Sequence, residues 1–414
     1  MSQTAVIAWR NIWRNKRRTI ITGTAIAFSA AILIFFIGLQ RSSYSAAIQA
    51  TTSIFQGHFQ IMLPSYKEDG NIRDSFAHGE VLRNKLLTLP HISEISLRSE
   101  GFAILSSKSR TFGAKILGVH PEEEKALSTI PSLVQTGAYL TSSHAQELVL
   151  GRTLARNLRV QVGDEVTLLG QGKDGSTAAA LLKVQGIFES GSLDLDRSLL
   201  EIPIETFREI FSLGEMRHEE VHLMAARVDN IAETDSVVKS LNNYFKEQHL
   251  PLQAYTWNEI TPGLKQAIDL DMASGWLFYL SLIVIVVFGV LNTFLMSILE
   301  RTKEFGMLLA VGMSPRSIIT LILIESIFLL LVGIVPGIML GAATLFYFHI
   351  YGFSIPGTEE AMKMWNLPAA IHPEVTFLHL SLGPAILFLF ALILLVPFTF
   401  RILKLEPLEA MRGV

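Results

Sequence analysis

The chain has 414 residues, 50% hydrophobic and 17% charged, with a formal net charge of −3. A mean hydropathy of +0.40 is too high for an ordinary soluble protein and too low for a pure membrane bundle, and the charge gives no basis for a nucleic-acid partner. There is no cysteine, which excludes disulfides, thiolate metal sites, iron–sulfur clusters and a lipidated N-terminal cysteine.

Residues 1–19 are basic and contain no acid. Ala5, Trp9, Ile12 and Trp13 fall on one side of a helix and Arg10, Arg14 and Arg18 on the other. That arrangement suits an amphipathic helix in the membrane interface with Trp9, Trp13, Arg10 and Arg14 as anchors, or a basic flank of the next segment. Ile20–Leu39 has no charge and is long enough to cross a hydrocarbon core of ~30 Å at ~1.5 Å per residue. A cleaved signal peptide is the alternative, but its apolar region runs to only about 15 residues, which favours a retained first span.

Residues 40–275 read as a soluble α+β domain. Its ends, Arg41–Gln56 and Glu259–Ser274, continue the neighbouring spans as helical stalks. Strand-like alternation covers 57–63, Ile92–Ile104 and Thr111–Val119, with a helix over Arg73–Leu89 stopping at Pro90. A second strand–helix–strand set covers Glu220–Val228, Glu233–His249 and Leu252–Trp257. Between the two sets, about 120–219, glycines spaced as turns mark an inserted β-rich subdomain. No P-loop motif occurs, so the chain has no nucleotide site of that kind.

His218-Glu219-Glu220-Val221-His222 matches the zinc-peptidase pattern H-E-x-x-H. That chemistry needs both histidines on one helical face. The residues that follow alternate as a strand, where the two would stand about 13 Å apart, so no metal site is assigned.

Three further uncharged or nearly uncharged spans follow at 276–299, 318–348 and 378–400. Lysine and arginine cluster before the first span, in the segment 300–317 and in the tail 401–414. The loop 349–377 carries Lys363 against Glu359, Glu360 and Glu374. This bias places both termini and 300–317 in the cytoplasm and the large domain outside. Glu300 and Glu304 share a helical face within 300–317, Gly306 and Gly312 break the pattern, and Ser314-Pro315 starts a new helix. The segment is either a handle for a cytoplasmic partner or a solvated turn. Glu325, in the third span, either fixes the bundle by bonding across helices or carries a proton or substrate. Gly333, Gly337 and Gly341 line one face of the same helix and allow close helix packing.

One span, a large outside domain and three further spans resemble the FtsX-like, MacB-type permeases of ABC transporters. The segment 300–317 matches that family's pattern at Glu300, Glu304, Phe305, Gly306, Ala310 and Gly312. The start AWRNIWRNKRRTIIT, LVLGRTLARNLRVQVGDEVTL, the glutamate of LILIESIFLL and the tail LEPLEAMR are similar too, and GHFQIMLPSYKED is similar to the lipoprotein-releasing, LolC/LolE-like branch. The resemblance implies an α-helical membrane protein with four transmembrane helices plus a large α+β extracytoplasmic domain between the first and second. It further implies a bacterial inner membrane location, a non-catalytic permease, and pairing with an identical or paralogous permease chain and two copies of an ABC ATPase.

In such a family 300–317 is the coupling helix, with Glu300, Arg301, Glu304, Phe305, Gly306, Leu309, Ala310 and Gly312 toward the ATPase. No cofactor would sit on this chain, since ATP and magnesium belong to the partner. The work would be mechanical, on periplasmic domains: extraction of lipoproteins handed to a periplasmic carrier, with efflux of peptides or amphiphilic drugs, or signalling to a cell-wall hydrolase, as alternatives.

Overall fold

The computed structural model describes residues 3–214, 219–358, 362 and 370–399. The chain divides into two compact units, one of Met1–Ser45, Ala267–Ser354 and Ala370–Val414, the other of Ala46–Gln266 with Ile355–Ala369.

The first unit is helical. A short helix, Gln3–Ile12, passes through a single 3₁₀ turn, Trp13–Asn15, into a long helix, Lys16–Thr51. The Thr19 hydroxyl donates to the Ile12 carbonyl at 2.6 Å and so satisfies a backbone acceptor that the turn releases. Three more long helices follow, Pro262–Glu300, Pro315–Tyr351 and Phe377–Thr399, with a nine-residue helix, Thr302–Ala310, after the first of them. Four described helices are long and apolar enough to cross a membrane. The 36 residues of Lys16–Thr51 rise about 54 Å, well beyond the ~30 Å of hydrocarbon.

The glycine stripe of Pro315–Tyr351 packs against Lys16–Thr51. A Cβ at Gly333 would lie 2.5 Å from Ile26 Cβ, one at Gly337 2.7 Å from the Ala27 carbonyl, and one at Gly341 2.9 Å from Ile34 Cβ. Backbone approach this close needs the missing side chains, and dispersion across the seam replaces the hydrophobic drive that lipid cannot supply.

Among the described residues the second unit is built on ten strands: β1 Phe59–Met62, β2 Ile92–Ser106, β3 Thr111–Val119, β4 Val134–Gly137, β5 Glu147–Gly151, β6 Glu165–Gln171, β7 Thr177–Phe188, β8 Leu199–Pro203, β9 Leu223–Val228 and β10 Gln253–Thr256. Strands β10-β1-β9-β2 form an antiparallel sheet in which the two strand–helix–strand sets interleave. Their connecting helices, Gly79–Leu86 and Thr234–Glu247, bury Leu86, Val237, Val238, Leu241 and Phe245 against Phe59, Ile61, Ile95 and Leu97.

The expected helix over Arg73–Leu89 is shorter than its pattern. Phe76 bridges to Val221, His78 adopts a left-handed conformation at φ 62°, and only from Gly79 does the chain turn helical. The strands of the expected insert at 120–219 join the sheet of the first set. β6 pairs with both β2 and β7, so the ring β2-β3-β8-β5-β7-β6 closes on itself. Its interior is filled by Leu105, Ile116, Leu148, Leu150, Leu168, Leu182 and Ile202. The inserted segment thus completes a small barrel on β2 and β3, which belong to the first set, and has no sheet of its own.

Candidate functional site

In the helical unit the charged residues around Thr302–Ala310 form one network. Arg301, at the N-cap, closes a fork on Glu325, with Nη1 donating to Oε2 at 2.8 Å and to Oε1 at 3.0 Å. Its Nε donates to Glu304 at 2.9 Å, and its guanidinium lies 5.1 Å from the centre of the Phe305 ring. Asn11 donates to Glu325 at 2.6 Å, Arg14 pairs with Glu304 at 2.9 Å, and Arg18 pairs with Glu300 at 2.9 Å. Burial works against ionisation of Glu304, yet the hydrogen bonds from Arg301 and Arg14 outweigh it and hold the carboxyl below the usual range. These contacts tie three stretches that are distant in sequence, 11–18, 300–304 and Glu325, and Glu325 makes the cross-helix bonds that one of its two readings requires.

The helical period decides what this short helix shows to solvent. Arg301, Phe305 and Gly306 are buried, with Phe305 in a cluster of Phe294, Ile318, Ile322 and Leu395, and Leu309 is half-buried at its edge. Arg301, Phe305 and Gly306 therefore hold the helix to the bundle, and the residues left exposed are those of its other side. Lys303, Met307, Ala310, Val311, Gly312 and Met313 are exposed, with Val311 82% accessible. Gly306 does not break the helix but lies inside it. The break falls at Gly312, whose φ of 99° is left-handed, and the Ser314 hydroxyl then accepts from the Ser317 N–H at 3.2 Å to start the next helix.

The N-terminal helix also differs from its expected faces. Ala8 and Ile12 are its buried stripe, while Trp9 and Trp13 are exposed and meet edge to face at 6.0 Å, Trp9 also meeting Phe328 at 5.6 Å. Arg10 is exposed, but Arg14, expected as an interface anchor, spends its charge on Glu304.

The second unit holds a cluster that the sequence reading missed. Arg98 and Glu124 are both fully buried and paired, Nη2 to Oε1 at 2.5 Å and Nε to Oε2 at 3.0 Å, with the Ser96 hydroxyl donating to Oε2 at 2.9 Å. Glu201 is also fully buried and accepts from the Tyr139 hydroxyl at 2.7 Å. Burial, reinforced by the charge of Glu124, pushes its carboxyl up to about 8. Nearby, Glu100 pairs with Lys115 at 2.8 Å and accepts from Tyr66 at 2.9 Å.

His222 has no nitrogen left for a metal. Its Nδ1 accepts from the Glu100 N–H at 3.0 Å and its Nε2 faces the Ile72 carbonyl at 2.9 Å as donor. It stands immediately before strand β9, and Glu220 is engaged by Lys173 and Ser75. His218 lies outside the described residues.

Comparison with known proteins agrees with this architecture. Residues 19–244 match the MacB-like periplasmic core domain and residues 276–407 the FtsX-like permease C-terminal region. The lipoprotein-releasing system transmembrane protein LolC of Neisseria meningitidis is 19% identical over 333 residues, 78% of this chain and 76% of that protein. The macrolide export ATP-binding/permease protein MacB of Bdellovibrio bacteriovorus is 22% identical over 82% of this chain but only 53% of its own length, and MacB of Vibrio parahaemolyticus is 33% identical over 32% of this chain and 20% of its own. The chain thus spans about three quarters of the LolC relative and about half or less of these MacB relatives. The periplasmic region of MacB from Actinobacillus actinomycetemcomitans superposes with a TM-score of 0.35 at 15% identity, covering 51% of this chain and 92% of that one. With a core-domain match over more than half its length and the permease match beyond it, the chain belongs to the MacB-like periplasmic core domain family and is an ABC transporter permease of the MacB/FtsX/LolC type.

Proposed function

We propose that this permease carries force from a separate ATPase to a domain outside the cytoplasm, as a non-catalytic subunit. In this reading two ATPase copies, with their ATP and magnesium, engage a pair of permease chains, identical or paralogous, in a bacterial inner membrane. The cargo class best supported is a lipoprotein lifted from the membrane toward a periplasmic carrier, because the LolC relative aligns over most of both chains. Export of an amphiphile is the second reading, favoured by the MacB relatives.

The observation that carries the coupling role is the two-sided character of Thr302–Ala310. One side is fixed to the bundle through Arg301, Glu304 and Phe305, and the other presents Met307, Val311 and Met313 to solvent. A rigidly held helix with an exposed apolar edge can receive a push without absorbing it, and its arginines and glutamates hold its position. The lysine and arginine bias supports a cytoplasmic position for this side.

The test is co-purification with a partner ABC ATPase co-expressed with this chain. Met307→Glu and Val311→Glu are expected to abolish ATPase capture while leaving the permease folded, since both side chains point away from the core. Capture at wild-type yield by both variants would contradict the docking role.

A further inference from the structure

The long helix Lys16–Thr51 does not fray where it enters the second unit. It passes into a π-turn, Thr52–Gln56, and every carbonyl of that turn has a donor. Thr52 O accepts from the Gly57 N–H at 2.8 Å, Ser53 O from the Thr129 N–H at 3.0 Å, and Ile54 O from the Ser128 hydroxyl at 2.7 Å. Phe55 O accepts from Arg98 Nη1, and Gln56 O from Gln60 at 3.0 Å. A helix C-terminus normally leaves its last carbonyls to water. Here three of the five donors come from β2 and from the segment after the helix Pro121–Leu127, and one of them is a buried cation placed where the helix dipole is negative.

The same short stretch both holds and caps. Glu124 grips Arg98, and Ser128 and Thr129, one turn further on, take the two preceding carbonyls. The guanidinium lies 4.9 Å from the centre of the Phe55 ring. Ile54 and Phe55 are themselves buried among Leu117, Val119, Ile130, Val149 and Phe188. The next residue after the turn, Gly57, is left-handed at φ 72°, and a Cβ there would lie 2.7 Å from the Ala226 carbonyl, so the chain turns into β1 with no slack. The root of the returning helix is tied to the same point, with Thr261 Oγ1 donating to Gln56 Oε1 at 2.5 Å.

We infer that Arg98, fixed by Glu124, is a positioning residue that locks the end of the first long helix to the sheet, so that a displacement of the helix is delivered to the domain as a rigid-body movement. This deepens the proposed function and rests on its reading of the helix as a moving part. A buried ion pair is a poor source of stability compared with an apolar replacement of similar volume. What such a replacement cannot supply is a directional bond to the Phe55 carbonyl.

The cysteine-free chain allows a direct test. Nitroxides at Gln49→Cys on the helix and Ser109→Cys in the exposed turn between β2 and β3 report one intramolecular distance in the full chain in nanodiscs. The expected result is one narrow distribution in the wild-type background. Arg98→Met combined with Glu124→Met, which removes both charges together, is expected to lose it in favour of a broad one. A distribution as narrow in that variant as in the wild type would overturn the inference. Ser128→Ala, which removes the donor to Ile54 O and the acceptor of the Ile130 N–H, is expected to broaden it less and carries the test should the double variant fail to fold. These distances need no nucleotide and therefore test the joint alone. Immobility of a Ser109 label relative to labelled lipid headgroups through the ATPase cycle would instead overturn the functional reading.

Discussion

Each unit of this permease contains an arginine closed on a glutamate, and the two pairs do different work. Arg98 and Glu124 are sealed from solvent, with the Ser96 hydroxyl, the buried Glu201 and the Phe55 ring beside them. Arg301 and Glu325 are 10% and 14% exposed and share their charge with Glu304 and Asn11 at the edge of a polar cavity. Desolvation is nearly complete for the first pair and partial for the second, so losing one partner has different consequences. In the first it strands a charge with no water to receive it, whereas in the second the neighbours and solvent can take it up. The comparison separates a pair that no solvent can relieve from one whose neighbours and solvent can.

The largest expected effect is at the sealed pair. Arg98→Ala leaves Glu124 unpaired and is expected to lower the opening free energy of the domain by about 3–5 kcal/mol, measured by hydrogen exchange on β2 and β3 peptides in the full chain. Arg301→Ala is expected to cost the helical unit only about 1.5–3 kcal/mol, read from thermal unfolding in detergent. Equal losses for the two would break the distinction. Gly337→Leu probes the same unit without charge. Its side chain would have to displace the Ala27 backbone, and a loss of about 1–3 kcal/mol is expected, with no change at the domain peptides.

The smallest effect, taken per pH unit, is a slope. Glu201 has its folded pKa raised to about 8, so the folded domain holds a proton that the unfolded chain releases near pH 4. That stabilisation is fully present below the unfolded value and is lost as pH rises through about 8. Domain stability should therefore fall between these limits by at most ~1.4 kcal/mol per pH unit. Glu201→Gln should flatten the dependence, and a slope unchanged in that variant would refute the assignment to Glu201.

These contrasts also show what a sequence of this kind discloses. The long helices were legible because a bilayer demands about twenty apolar residues in a row, and the glycine stripe because its four-residue spacing is a local signal. Glu325 stood out for the same reason, as one charge in an apolar run. Its partner Arg301 was noticed, but for the wrong face, since a nine-residue helix between two longer ones leaves its orientation to tertiary packing. Gly306 read as a breaker on propensity, a penalty of about 1 kcal/mol that burial against the bundle overrides.

In the outer domain the strands could be read from their alternation, but barrel closure could not. The β6–β2 pairing joins residues more than sixty positions apart, and no local pattern encodes it. Arg98 sits in ISLRSEG, where alternation gives a polar residue an outward face. Only the fold shows that this face is covered by the helix Pro121–Leu127 and the end of the long helix, and that Glu124 arrives from 26 residues away to meet it.

The central claim is that the short charged helix lies on the cytoplasmic side and the barrel-bearing domain on the other. Single cysteines at Met307 and at Ser109 in the otherwise cysteine-free chain, treated with a membrane-impermeant maleimide in cells with a permeabilised outer membrane, test it most directly. The account predicts labelling at Ser109→Cys before the inner membrane is opened and at Met307→Cys only afterwards. Labelling of Met307→Cys with the inner membrane intact, or protection of Ser109→Cys, would contradict it.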